Sequence, residues 1–189
     1  MPTVDLARKP VLEGRLVRLR PFSVDDVPAM AEILSDPEVR RLTGSVESTA
    51  EAEEPEPVDE RLTSWYATRA EQPDRLDLAV VDLATGRVVG EVVLNELDAD
   101  ARTANLRCLV GPEGRGRGLG TEALRLLCEH ALGPAGLRRL TLEVFEFNPR
   151  ALHVYETLGF VETGRRPDAL VFDGVSVGAV DMELTAPTG

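Results

Sequence analysis

The chain has 189 residues, of which 43% are hydrophobic and 29% charged, a composition that suits one soluble folded domain and excludes a disordered chain. Its net charge of −12 argues against a surface that coats nucleic acid or anionic membrane, since both require a basic face. An acidic balance is compatible with a cationic substrate and equally with plain solubility. Cys108 and Cys128 make neither a disulfide framework nor a metal-ligand pattern, so a reducing cytoplasm is the expected compartment and no metal is expected. The first ten residues hold no apolar leader, and no run approaches the ~18 apolar residues of a membrane span.

In chain order, residues 1–10 read as an N-terminal arm and residues 11–185 as a single domain. Residues 11–20 alternate imperfectly between apolar and charged and suggest a first strand, ended by Pro21. Ser23 followed by Asp26 resembles a capping box, and Val27, Met30, Ala31 and Leu34 then form an apolar helix stripe that Pro37 is expected to end. Residues 47–60 carry seven acidic residues and two prolines with no base, which reads as a solvated loop or as a lid that attracts a cationic substrate. A helix is expected over 58–70, with Leu62, Trp65, Tyr66 and Arg69 on one side.

Residues 76–82 and 87–97 read as strands joined at Thr85-Gly86, and 103–110 as a third, giving an antiparallel meander. Five glycines then fall within residues 111–120, and a helix with an apolar stripe at Leu124, Leu127, Cys128 and Ala131 follows to about 132. Glycines let a backbone approach a ligand closely, and the free N–H groups of a helix start face an anion, so this junction reads as a phosphate cradle. A strand over 139–147 completes a βαβ unit with parallel strands. Asn148-Pro149 caps a helix over 150–158 that Gly159 stops, and Asp173-Gly174 turns a final hairpin of 160–172 and 175–184. The expected architecture is α/β (mixed α+β), a mixed sheet of about seven strands flanked by helices.

Two segments carry a family resemblance. Arg115-Gly116-Arg117-Gly118-Leu119-Gly120 fits Arg/Gln-x-x-Gly-x-Gly/Ala at a strand-to-helix junction, and Asn148, Ala151, Tyr155, Gly159 and Phe160 fit the second motif at its usual distance. The chain thus resembles the GCN5-related N-acetyltransferase (GNAT) family over roughly residues 11–185. It looks most like the branch that includes ribosomal-protein alanine acetyltransferases, which also contains enzymes acting on small amines.

The resemblance implies a sheet splayed between the fourth and fifth strands. It implies an enzyme that moves an acetyl group from acetyl-CoA to a primary amine, on a protein N-terminus or a small molecule, by direct attack in a ternary complex. Backbone N–H groups of Arg115, Gly116, Arg117, Gly118, Leu119, Gly120 and Thr121 would hold the pyrophosphate, with Arg115 and Arg117 adding side-chain charge. Cys108, Leu109 and Val110 would pair with the pantetheine arm, like an added strand, and Asn148 and Ala151 would lie beside it. Tyr155 would serve the departing thiolate. Glu143, twelve residues earlier, or water would be the base. Glu91, Asn95, Glu96 and Asn105 are substrate-side candidates, and family members often form homodimers. A non-catalytic acetyl-CoA-binding or sensing module remains the alternative, with a nucleotide-binding α/β protein behind it.

Overall fold

A computed structural model describes residues 4–55 and 58–187. Residues 1–3 of the arm and Glu56-Pro57 of the acidic stretch lie outside the described residues. The strands are β1 (Leu12–Glu13), β2 (Val17–Pro21), β3 (Leu76–Asp82), β4 (Val88–Asp98), β5 (Thr103–Val110), β6 (Arg139–Phe145), β7 (Val161–Phe172) and β8 (Val175–Thr185). They form one eight-stranded sheet in the order β1-β2-β3-β4-β5-β6-β8-β7. The expected strand 11–20 is instead the hairpin β1–β2, because Gly14 donates to the Val17 carbonyl and turns the chain there. That is why the sheet has eight strands and not seven.

The helices are α1 (Val27–Leu34), α2 (Pro37–Leu42), α3 (Thr49–Ala52), α4 (Glu60–Thr68), α5 (Leu119–Leu132) and α6 (Pro149–Thr157). The Ser23–Asp26 capping box forms, around a single 3₁₀ turn that leads into α1. Pro37 does not simply stop α1. It occupies the first position of α2, with the Asp36 side chain capping Val39 N–H at 2.9 Å. Part of the acidic stretch is helical as well: Ser48 caps α3, which buries Ala52. The arm is docked from residue 4 onward. Leu6 is buried in the main core, and the Lys9 ammonium donates to the carbonyls of Leu6, Gln72 and Arg75.

Helix α5 packs across β2, β4, β5 and β6. Its stripe of Leu119, Leu124, Leu127 and Ala131 is buried, each leucine contributing about 2 kcal/mol relative to exposure. A separate cluster of Phe22, Val27, Met30, Ile33 and Tyr66 covers Ala79. The first turn of α5 is tied to β2 by Glu122, whose carboxylate accepts N–H bonds from Arg15 (3.1 Å), Leu16 (2.6 Å) and Val17 (2.9 Å). Burial alone would raise its pKa, but these three donors outweigh burial and hold it below the usual carboxylate range.

The feature that makes a site is the parallel pairing of β5 and β6. Strands β5 and β6 pair only at Thr103↔Arg139, Ala104↔Leu140 and Asn105↔Thr141. Beyond Asn105, β5 stays with β4 as far as Val110, and β6 stays with β8 as far as Phe145. The sheet is therefore splayed between its parallel strands, and the β5 edge facing the gap is free of β6.

Candidate active site

The splay opens a cleft whose two ends are chemically different. One end is a cavity of about 300 Å³ between β5, the glycine loop, α2 and the start of α6. Cys108, Leu109 and Val110 line it from the free strand edge. Arg115, Gly116, Gly118, Leu119, Gly120 and Thr121 line it from the loop and the first turn of α5, and Asn148, Ala151 and Tyr155 from α6. The loop conformation depends on glycine. Gly116 and Gly118 have φ of +73° and +80°, where a side chain is strained, and a Cβ on Gly116 would meet nothing within 4 Å. Gly118 is the N-terminal cap residue of α5. Among the described residues, the N–H groups of Gly116 to Thr121 have no backbone acceptor, whereas the Arg115 N–H, also expected in the cradle, donates to the Pro112 carbonyl at 3.4 Å as the 3₁₀ turn before it closes. A row of free donors at the positive end of a 14-residue helix, with no side chain in front of it, fits a pyrophosphate.

The loop arginines do not both serve that cradle. Arg117 is absent from the cavity wall and binds the buried Asp82 at 2.8 Å, holding that carboxyl below its usual range. The expectation that its side chain adds charge to the cradle is thus corrected: the buried carboxylate claims it. Arg115 does face the cavity, and it is paired with Asp36 (2.5 Å) and Glu38 (2.6 Å) across α2.

The other end of the cleft is a cavity of about 410 Å³, lined among others by Glu96, Asn105, Arg107, Glu143 and Phe145. The two cavities share Leu42, Thr43, Cys108, Asn148, Ala151 and Tyr155. Tyr155 is buried and its ring meets Phe160 edge-on at 5.7 Å. Its hydroxyl has no hydrogen-bond partner among the described residues, and burial pushes its pKa up, so the group keeps its proton. Asn148 caps α6 by accepting from Ala151 N–H at 3.1 Å. Burial pushes the Cys108 and Cys128 thiols up to about 12, which leaves neither as a thiolate near neutral pH.

The substrate-side candidates divide. Glu143 reaches the second cavity, but its carboxylate is occupied by Arg166, which also holds Asp181. Asn105 lines the same cavity and donates to Asn95 Oδ1 at 2.8 Å. Glu96 lines it with φ of 51°, where the β4–β5 register slips. Glu91 does not line it. It is half-buried beneath α4, accepts from the Tyr66 hydroxyl at 3.3 Å, and is raised to about 7, chiefly by burial and then by Asp77. The described part of the acidic stretch also stays off both walls. Sequence reasoning missed Leu42, Thr43 and Phe147 of the wall. The signal was present, because Asp36-Pro37 is the same cap-then-proline pair as Asn148-Pro149. Among the described residues no group of three or more His, Cys, Asp or Glu is placed to hold a metal ion, and no helix is long and apolar enough to cross a membrane.

Comparison with known proteins bears on this geometry. A family profile described as "Acetyltransferase (GNAT) domain" matches residues 16–161. The alpha/beta-tubulin-N-acetyltransferase 9 of Drosophila melanogaster is 30% identical over 166 residues, covering 80% of this chain and 78% of its own. A spermidine N(1)-acetyltransferase of Escherichia coli K12 is 26% identical, covering 88% and 84%. The crystal structure of spermidine N-acetyltransferase from Vibrio cholerae with CoA and spermine shares the fold, with a TM-score of 0.79 at 21% identity over 92% of this chain and 97% of that one.

Proposed function

The chain belongs to the GNAT family of acetyl-CoA-dependent N-acetyltransferases, and from that premise we propose that it joins an acetyl group to a primary amine by direct attack within a ternary complex. The observation that carries this reading is the meeting of two cavities, one walled by the glycine loop and one by polar side chains, at the Tyr155 hydroxyl, which has no hydrogen-bond partner among the described residues. Donor and acceptor would enter from opposite ends and meet there without a covalent enzyme intermediate. Cys108 beside Tyr155 is a protonated thiol and adds no nucleophile.

The residues divide the work as follows. The N–H groups of Gly116 to Thr121 hold the donor pyrophosphate, and the free edge of β5 at Cys108–Val110 orients the arm. Acetyl-CoA supplies the thioester. The neutral amine attacks its carbonyl carbon, the C–S bond breaks, and the Tyr155 hydroxyl gives a proton to the departing thiolate. The amine loses its proton to water, since Arg166 occupies Glu143 and Glu91 lies off the cavity wall, and water returns a proton to the Tyr155 phenolate so that the cycle closes. The acceptor is a small-molecule amine or a protein N-terminus. A putative ribosomal N-acetyltransferase of Bacillus subtilis, 30% identical over 93 residues, supports the ribosomal-protein branch, while relatives named for spermidine support small amines. We place the enzyme in the cytoplasm on its two unpaired cysteines, and the homodimer common among family members is the assembly to test.

The test is release of free CoA thiol from acetyl-CoA with a panel of small amines and N-terminal peptides. Turnover with at least one acceptor, lost in Tyr155→Phe, supports the proposal. Tight acetyl-CoA binding without turnover on any acceptor would favour a sensing module.

A further inference from the structure

The charge in the second cavity bears on which amine is accepted. Its charged wall residues are Glu96, Arg107 and Glu143. Glu143 and Asp181 share the single cation Arg166, so both carboxylates of this corner are already ion-paired, although together they keep one net negative charge. The acidic stretch, read from sequence as an attractor for cations, puts none of its described residues on the wall. Arg107 is different. It precedes Cys108 on β5, lies opposite Val93 of β4, and is exposed. Among the described residues it has no hydrogen-bond or ion-pair partner. Glu91, diagonal to it across β4, feels the Arg107 charge without forming an ion pair with it and accepts instead from the Tyr66 hydroxyl. An unpaired guanidinium in a cleft is a fork for a carboxylate, and Glu96, an exposed carboxylate on the same wall with no ion-pair partner among the described residues, is left to face the ammonium.

We propose that Arg107 anchors an anionic group of the acceptor, so that the acceptor is a zwitterionic amine, a primary amine that carries a carboxylate, rather than a polyamine. The inference rests on the acetyltransferase reading and deepens it. Arg107 acts as a specificity residue, and the amine lies towards Tyr155 while the carboxylate lies on the guanidinium. Like charge then works against an ammonium at the Arg107 end of the cavity.

The experiment uses thiol release at saturating acetyl-CoA with matched pairs: α-, β- and γ-amino acids and their amides, with spermidine as the polycation. Wild type is expected to favour the carboxylate member of at least one pair by ~10-fold or more in kcat/KM, the lower end for a hydrogen bond to a charged partner. Arg107→Gln should erase that preference through KM of the acid member, leaving the amide kinetics and the KM for acetyl-CoA unchanged. A merely structural role would move both members together. Arg107→Lys should restore part of the preference, and Arg107→Glu should reverse it. Wild-type preference for spermidine or for the amides, or a preference that survives in Arg107→Gln, would overturn the assignment while leaving the acetyltransferase in place. No turnover on any member with turnover on an N-terminal peptide would overturn the assignment alone, and acetyl-CoA binding with turnover on neither would overturn both.

Discussion

Replacing Tyr155 by Phe removes one oxygen and leaves almost everything else. The ring is buried, and its edge-on contact with Phe160 at 5.7 Å does not involve the hydroxyl. That hydroxyl has no protein partner among the described residues, so folding loses no internal hydrogen bond, and Tm should stay within roughly 2 °C of wild type. The rate is another matter. A positioned general acid is worth about 10²–10⁴ in rate, or roughly 3–5 kcal/mol of barrier. Tyr155→Phe should therefore lower kcat by at least ~100-fold with KM for acetyl-CoA changed by less than about threefold, the pattern of an interaction made only in the transition state. Burial raises the pKa of this tyrosine, so the proton donor is lost only above the ordinary value of ~10, and wild-type kcat should show no alkaline loss from it below that pH. The assay is thiol release under saturating donor, with a thermal melt of the same preparation. A kcat within about tenfold of wild type in a folded Tyr155→Phe would remove the hydroxyl from the mechanism.

Three further outcomes are expected. Gly118→Glu puts a carboxylate in front of the free N–H groups and a side chain at φ of +80°; calorimetry should show CoA binding lost, while strain costs the fold only about 1–2 kcal/mol. Arg117→Met strips the buried Asp82 of its cation, so it should lower Tm by several degrees while CoA affinity changes less than about threefold; the reverse pattern would return Arg117 to the cradle. Glu122→Gln weakens the tie between α5 and β2 and should cost about 2 kcal/mol, or roughly 4–8 °C. The folded-state pKa of Glu122 is depressed, so its contribution is present above the unfolded value of ~4.3 and is lost as pH falls through the folded value. Wild-type Tm should therefore fall more steeply than that of Glu122→Gln below about pH 5, and parallel curves would refute the assignment.

The elements that match residue for residue are those with strong local punctuation. Strands β3 and β5 and helix α5 begin and end where apolar runs meet turn residues, at 76–82, 103–110 and 119–132. Helix α2 was hidden because Pro37 signals a stop and a start equally well, and only the Asp36 side chain on Val39 N–H decides between them. The β1–β2 hairpin was hidden because Gly14 sits inside an alternation that looks continuous, and the turn is secured from afar by Glu122.

The sequence by itself determined the periodicity of the elements, the caps of α5 and α6 and the glycine spacing at the donor end. These are local properties, set by φ/ψ preference and by side chains within a turn of each other. Only the tertiary structure decided which charges are free. Arg115 meets Asp36, Arg117 meets Asp82, and Arg166 meets Glu143, each across a stretch of chain that only the sheet order brings together. Among the described residues Arg107 forms no ion pair, for the same reason. Ion pairing depends on distances of a few ångströms between residues far apart in sequence, and nothing in local composition encodes which pairs will form.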